Sequence, residues 1–143
     1  MNSISIKLGI ILFIIELSIF GYAEVWGQDW KYYGETYIGR WFYDAKSLTL
    51  PSWDIVRIRE KQIYTEEGVY FMKKEMEDRG ENLSYSIALE EIDCGNKKYR
   101  VLQITHYSKS GEILFSHNCS DIRYWEYIIP NSLKEILLKA VCK

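Results

Sequence analysis

The chain has 143 residues, a length typical of one domain with its own hydrophobic core. Its formal net charge of −2 does not favour nucleic acid as a partner, because nucleic acids bind basic surfaces. The 12 Tyr, 5 Trp and 5 Phe suit half-buried sheet faces and binding surfaces equally well, so aromatic content alone indicates no function.

The first residues have the pattern of an export signal. An apolar run at residues 8–20 follows Lys7 and is shorter than the roughly 20 residues that a membrane-spanning helix needs. Gly21 and Ala23 then supply the small residues of a cleavage site, the pattern of a secretory signal peptide.

Residues 1–23 are therefore predicted to be a signal peptide and residues 24–143 the exported domain, with Gly27 as a second candidate cleavage site. Export predicts a location in the periplasm or on the outer cell surface. No cysteine follows the apolar run closely, so the sequence predicts no lipid anchor.

The first half of the domain is predicted to be mostly strand. Aromatic residues favour strands at 30–34 and 39–44, followed by a loop at 45–52. Residues 55–64 alternate, with Val56 and Ile58 on one face and basic residues on the other, as expected of a strand with one wet face.

Helical spacing of apolar residues, including Met72 and Met76, predicts a helix at 66–79 whose methionines pack against the sheet. Period-two patterns then predict strands at 83–93, 99–107, 113–117 and 124–129. In the first of these, Leu83, Tyr85, Ile87 and Leu89 share one face.

The last predicted element is the clearest helix. Ser132 and Glu135 fit a capping box, and an apolar stripe follows. The stripe consists of Leu133, Ile136, Leu137, Ala140 and Val141. These elements predict an α+β fold: a single antiparallel sheet of about six strands with a C-terminal helix packed on one face.

Three cysteines, Cys94, Cys119 and Cys142, would enter an oxidising compartment on export. One disulfide and one unpaired cysteine is the simplest arrangement, which leaves three pairings open. No CxxC spacing supports a redox or zinc-ribbon motif. Cys119, if unpaired, either forms an intermolecular disulfide or stays buried and free.

His117, Cys119 and Asp121 alternate along the chain, and His106 lies across the predicted hairpin. Such a set could bind zinc or copper, although no ligand pair has a recurrent metal-site spacing. The alternative function is accordingly a periplasmic metal-binding or hydrolytic protein that uses these four residues.

Glu90, Glu91 and Asp93 cluster near the turn that leads to the basic residues of 97–100. Cross-strand ion pairing is a better explanation for these carboxylates than glycosidase chemistry. The chain has no GxSxG motif, P-loop or dinucleotide fingerprint, so it is predicted not to be an enzyme and to need no cofactor.

A set of short motifs, from about Trp30 to Cys142, resembles the surface-adhesin protein E family of small exported bacterial proteins. Their order and spacing carry the resemblance more than any one motif. The motifs are Trp41-Phe42-Tyr43-Asp44, Glu91-Ile92-Asp93-Cys94, Tyr99-Arg100, Tyr107 with Gly111, Trp125, Ile129-Pro130-Asn131-Ser132 and Val141-Cys142.

The resemblance implies an antiparallel sheet whose C-terminal helix is tied down by a Cys94–Cys142 disulfide. It also implies a non-enzymatic adhesin that binds a protein ligand, either an extracellular-matrix or serum protein of a host or an envelope protein, and that forms homodimers. No ligand-binding segment matches residue by residue, and Cys119 departs from a pattern that needs two cysteines.

Overall fold

The computed structural model describes residues 28–76, 82–119 and 124–143. These residues form an antiparallel sheet and two α-helices, with a short 3₁₀ turn after the second strand. The elements in chain order are β1 (Trp30–Thr36), β2 (Gly39–Asp44), the 3₁₀ turn (Ala45–Ser47), β3 (Thr49–Ser52), β4 (Ile55–Tyr64), α1 (Glu66–Glu75), β5 (Leu83–Asp93), β6 (Lys98–Ser108), β7 (Ile113–Asn118), β8 (Glu126–Tyr127) and α2 (Leu133–Val141).

Six strands form the continuous sheet in the order β1-β2-β4-β5-β6-β7, and every pairing is antiparallel. Two short strands lie off this path: β3 pairs with β4, and β8 pairs with β6. The predicted α+β architecture, with about six strands and a C-terminal helix, is confirmed.

Helix α2 covers one face of the sheet, which we call the covered face; the outer face is turned away from it. Val56 and Ile58 of β4 are buried in the core cluster beneath α2. Arg57, Arg59 and Lys61 alternate with them and lie on the outer face, as the period-two pattern of β4 predicted.

Strand β5 presents its faces in an unexpected way. Tyr85, Ile87 and Leu89 share a face as predicted, but this is the outer face and they are only half-buried. Leu83, predicted to share that face, is instead buried, because the register shifts between Leu83 and Tyr85. The buried row toward α2 contains polar residues, including Ser86 and Glu90. Hydrophobicity alone therefore does not tell which face of β5 lies in the core.

The predicted loop at 45–52 is wrong. The Asp44 carboxylate accepts a hydrogen bond from the Lys46 amide at 3.1 Å, which begins the 3₁₀ turn, and β3 follows. Pro51 is compatible with a strand here because β3 pairs only with β4 among the described elements.

Two other predicted elements are shorter in the structure. Helix α1 ends at Glu75 with Met76 as its C-cap, and residues 77–79 of the predicted helix lie outside the described residues. Met76 is buried, whereas Met72 is only half-buried. The predicted strand at 124–129 is reduced to the two residues of β8.

The start of α2 follows the predicted cap. The Ser132 hydroxyl accepts a hydrogen bond from the Glu135 amide at 3.3 Å. Glu135 reaches back one residue further than a capping box requires, because its carboxylate accepts from the Asn131 amide at 2.6 Å. This hydrogen bond, together with the nearby Lys139, holds the pKa of Glu135 below its usual value.

The apolar stripe of α2 is rotated slightly from the predicted one. Leu137, Leu138 and Val141 are buried in the core, whereas Ile136 is 47% exposed. A disulfide joins Cys94, at the end of β5, to Cys142, at the end of α2, over a sequence separation of 48. This is the pairing that the family resemblance implied, and Cys119 is free.

Replacing Cys142 with Ser should lower the free energy of unfolding, because it releases a long closed loop in the unfolded chain. The chain-entropy model gives about 4 kcal/mol for a loop of this size, and measured losses commonly fall to about 2 kcal/mol. Urea unfolding of the oxidised protein measures the change. The control Cys119→Ser should change it little, and an equal loss in both variants would contradict the prediction.

Candidate binding surface

A buried ionic cluster lies between α2 and the covered face. The Lys134 ammonium, in the first turn of α2, contacts both oxygens of Glu60 at 3.0 and 2.9 Å and one oxygen of Glu90 at 2.6 Å. The Tyr33 hydroxyl also donates to Glu60. Glu60 and Glu90 belong to adjacent strands, so one lysine ties the helix to the centre of the sheet.

The cluster contains two carboxylates and one ammonium, which leaves one negative charge in excess if every group is ionised. Burial, followed by the Glu90 charge, raises the pKa of Glu60 well above its usual value. Burial also opposes ionisation of Glu90, but Lys134 and a hydrogen bond from Glu60 outweigh it and lower the pKa of Glu90. Of the two carboxyls, Glu60 is therefore the one that takes up a proton first as the pH falls.

Burial opposes the charged form of Lys134 as well, but the two carboxylates outweigh it and raise the pKa of its ammonium. Carboxyls with divergent pKa values can form an acid–base pair in an enzyme. Neither pocket described below is lined by these carboxyls. We therefore interpret the cluster as a structural contact of α2.

The outer face carries an ion-pair chain across three strands. Glu91 of β5 accepts from Arg57 of β4 at 2.7 Å and from Arg100 of β6 at 2.6 Å. Burial disfavours the Glu91 charge, but the two guanidinium groups outweigh it and lower the pKa of Glu91. The Arg100 guanidinium also lies 4.5 Å from the ring centre of Trp125.

This arrangement bears out part of the predicted carboxylate pairing near the turn. Glu91 pairs with Arg100 as expected. Glu90 instead points to the covered face and pairs with Lys134. Asp93 accepts hydrogen bonds from the Asn96 amide and side chain, both at 2.9 Å, and thus shapes the turn.

Aromatic side chains and a lysine fill the rest of the outer face. The Lys61 ammonium lies 4.6 Å from the ring centre of Tyr85 and 5.5 Å from that of Trp30. Tyr32 and Phe42 meet edge to face at 5.6 Å. Contacts of this kind fix the rings in place and still leave them accessible; Tyr32 is 54% exposed.

A small concavity of about 280 Å³ opens in the middle of the outer face. Its lining combines aliphatic side chains with polar ones from the three strands β4, β5 and β6, and Gln28, which precedes β1, completes it. The lining residues are Gln28, Arg59, Ile87, Leu89, Gln103, Thr105 and Tyr107. Arg59 pairs with the fully buried Asp44 at 2.6 Å, so its guanidinium is held at the rim.

A larger groove of about 920 Å³ lies beside the disulfide, between the β3–β4 hairpin and the end of α2. Its lining is mainly apolar and includes Leu48, Leu50 and Val141. Leu50 is 68% exposed, and Trp53, at the tip of the hairpin, is 91% exposed. The groove is therefore a second surface with accessible apolar side chains.

The predicted metal-ligand set is only partly brought together. The His106 ring is buried, stacks on Phe115 at 4.4 Å, and lies 6.2 Å from the His117 ring. Asp121 lies outside the described residues. Among the described residues, no group of three or more His, Cys, Asp or Glu could hold a metal ion, so they give the metal hypothesis no support.

His106 is instead a packed core residue. Burial, and then the nearby His117, lowers the pKa of His106 to about 4. Its Nδ1 atom is buried without a hydrogen-bond partner.

Within the part of the chain that the structure describes, no helix is long and apolar enough to cross a membrane.

Sequence reasoning missed the ionic cluster and the position of Lys61 between aromatic rings. A signal for the cluster was present. Glu60 continues the alternation of the buried residues Val56 and Ile58, and Lys134 precedes Leu138 by one helical turn. A charged residue that continues the spacing of the buried residues in its own strand or helix is expected to be buried. When a second element carries an opposite charge in an equivalent position, the two predict a buried ion pair.

A family model, Surface-adhesin protein E, matches residues 30–143. No curated protein and no solved structure matches the chain.

The ionic cluster predicts opposite effects for two substitutions. Lys134→Met leaves a buried, unpaired carboxylate and should cost about 3–5 kcal/mol of unfolding free energy at neutral pH. Glu60→Gln mimics the protonated carboxyl, so it should be neutral or stabilising at neutral pH. Urea unfolding of both variants tests this, and a large loss for Glu60→Gln would contradict the proton assignment.

The raised pKa of Glu60 also predicts how the free energy of unfolding depends on pH. The folded-state pKa of Glu60 is raised above its ordinary value of 4.5. The contribution of Glu60 to the free energy of unfolding is therefore fully present below pH 4.5 and is lost as the pH rises through the raised pKa. The advantage of Glu60→Gln over the wild type should therefore grow as the pH increases above 4.5. Equal pH profiles would exclude a proton on Glu60.

The lowered pKa of His106 predicts that the free energy of unfolding decreases on acidification. Burial lowers the pKa of His106 from its ordinary 6.5 to about 4 in the folded protein. Its contribution to the free energy of unfolding is therefore present above pH 6.5 and is lost as the pH falls toward 4. His106→Phe should remove this part of the pH dependence in unfolding experiments between these values. His117→Gln, the control, should keep most of it, because burial is the main cause of the shift.

Proposed function

We propose that this chain, which belongs to the surface-adhesin protein E family, acts as an exported, non-enzymatic module that binds a protein ligand. The ligand class is an extracellular-matrix or serum protein of a host, or another protein of the cell envelope. Family membership supports the adhesin-like role. The contacts of the outer face support a protein as the ligand.

Export through the signal peptide at residues 1–23, which leaves a domain of residues 24–143, is part of the proposal. The short apolar run and its small-residue exit support cleavage after Ala23. The Cys94–Cys142 disulfide supports an oxidising location, either the periplasm or the outer cell surface.

The outer face is the proposed binding surface. Helix α2 packs on the other face against Val56, Ile58 and Ile92, so a ligand cannot reach these strand positions from that side. Tyr32 and Phe42 offer aromatic contact area of the kind that dominates protein interfaces. The ion-pair chain through Glu91 links three strands across this surface.

The single observation that carries the proposal is the row of ordered but accessible aromatic side chains on the outer face. In a sheet that served only as a scaffold, the wet face would carry mainly charged and small polar residues. Here it also carries stacked rings, including the parallel pair of Tyr85 and Tyr107 at 4.8 Å.

A direct test uses purified protein on a panel of immobilised matrix proteins, serum proteins and envelope extract. Replacing Tyr32 and Phe42 together with Ser should weaken the captured interaction at least about tenfold, because both residues are accessible anchors. Trp53→Ser, which changes the groove beside the disulfide, is the matched control and should keep full affinity. Thermal unfolding confirms that each variant is folded.

The opposite result is equally informative. If Trp53→Ser abolishes binding and the outer-face variant binds normally, the ligand uses the groove and the outer face is not the binding surface. If no protein of the panel is captured by the wild type, the adhesin-like role is unsupported.

A further inference from the structure

We infer that the concavity in the middle of the outer face receives one tyrosine side chain of the protein ligand. The inference rests on the proposed function, because it assigns the group that the ligand inserts into the same surface. Three properties of the concavity carry the choice of side chain: its volume, its balanced charge and its unused hydrogen-bonding groups.

The concavity has room for one large side chain. Its volume of about 280 Å³ lies just below the range of small-molecule sites, about 300–1,000 Å³. Ile87 and Leu89 of β5, both half-buried, supply its apolar lining. The Tyr107 ring, which stacks on Tyr85 at 4.8 Å, lines it from β6. An apolar lining that includes a fixed ring favours an aromatic side chain, because aromatic rings pack well against one another.

The charge inside the concavity is balanced. Among the lining residues that the structure describes, only Arg59 is charged, and its guanidinium pairs with Asp44 at 2.6 Å. The lining therefore offers no unpaired counter-ion to a charged side chain, which would lose its water on entering. An uncharged side chain avoids this desolvation cost.

Two glutamines at the rim supply a hydrogen-bond donor and an acceptor. The Gln28 side-chain oxygen accepts from the Trp30 indole at 3.1 Å, and its amide N–H groups have no partner among the described residues. The Gln103 amide nitrogen donates to Ser116 at 3.4 Å, and the Gln103 side-chain oxygen likewise has no described partner. A phenol hydroxyl both donates and accepts, an indole only donates, and a phenyl ring does neither. Tyrosine is therefore the aromatic side chain that suits this rim.

The test uses isotope-labelled protein and short peptides that differ only in their central residue, which is Tyr, Phe or Glu. The NMR signals of Ile87 and of the Gln103 side chain should move on addition of the Tyr peptide. The affinity for the Tyr peptide should exceed that for the Phe peptide about threefold to tenfold, the effect expected of one net hydrogen bond. The Glu peptide should bind no more tightly than the Phe peptide.

Two variants connect this preference to the concavity. Replacing Gln28 and Gln103 together with Leu removes the donor and the acceptor from two exposed positions, so the Tyr and Phe affinities should come within about twofold of each other. Ile87→Trp fills the concavity and should weaken Tyr-peptide binding at least about tenfold. Ile63→Trp, the matched control, adds the same ring to the outer face outside the lining and should leave the affinity unchanged. Thermal unfolding confirms that each variant is folded.

Equal affinity for the Tyr and Phe peptides, or a Tyr preference that persists without the two glutamines, would overturn the inference. So would the absence of any movement of the Ile87 and Gln103 signals. Tighter binding of the Glu peptide would assign the concavity to an acidic side chain instead.

The outcome is separable from that of the proposed function. If a panel protein is lost on the Tyr32 and Phe42 substitution but is unaffected by Ile87→Trp, the binding surface stands and the tyrosine site is wrong. If the Tyr peptide binds in the concavity and no panel protein is captured, the tyrosine site stands without the adhesin-like role.

Discussion

The docking of α2 on one face of the sheet is the contact on which the rest of the structure depends. A nine-residue helix is unstable alone in water, so its contacts must hold it. Leu137, Leu138 and Val141 supply apolar burial, and the disulfide at Cys142 fixes the far end of the helix. Where α2 occupies this face, the strand residues beneath it, such as Val56, Ile58 and Ile92, are closed to a ligand.

The ionic cluster gives this docking a defined rotation and register. Apolar side chains tolerate small rotations of a helix, whereas the contacts of the Lys134 ammonium with both Glu60 and Glu90 limit how far α2 can rotate. Buried ion pairs add little net stability compared with apolar replacements, because desolvation offsets their attraction. Their value here is therefore specificity, since a misplaced α2 would leave uncompensated charges in the core.

The strands, the C-terminal helix and its cap were predictable because they depend on local patterns. Period-two alternation in β4 and the Ser132 cap are examples, and both match the structure. The errors arose where tertiary contacts decide. Leu138, rather than Ile136, faces the core, since the sheet selects the side of α2 to be buried. β3 exists because β4 offers a pairing edge, which the residues of 45–52 do not reveal.

The more apolar face of β5 is the outer face, which is the proposed binding surface. Its apolar row, Tyr85, Ile87 and Leu89, lies on the outer face, whereas Ser86 and Glu90 are buried on the covered face. This inversion is tolerable because both of these buried polar side chains of β5 have a partner: Tyr64 donates to Ser86 at 3.0 Å, and Lys134 donates to Glu90. The covered face thus uses paired polar groups for its interior contacts. Apolar and aromatic side chains consequently remain accessible on the outer face, where a binding module needs them.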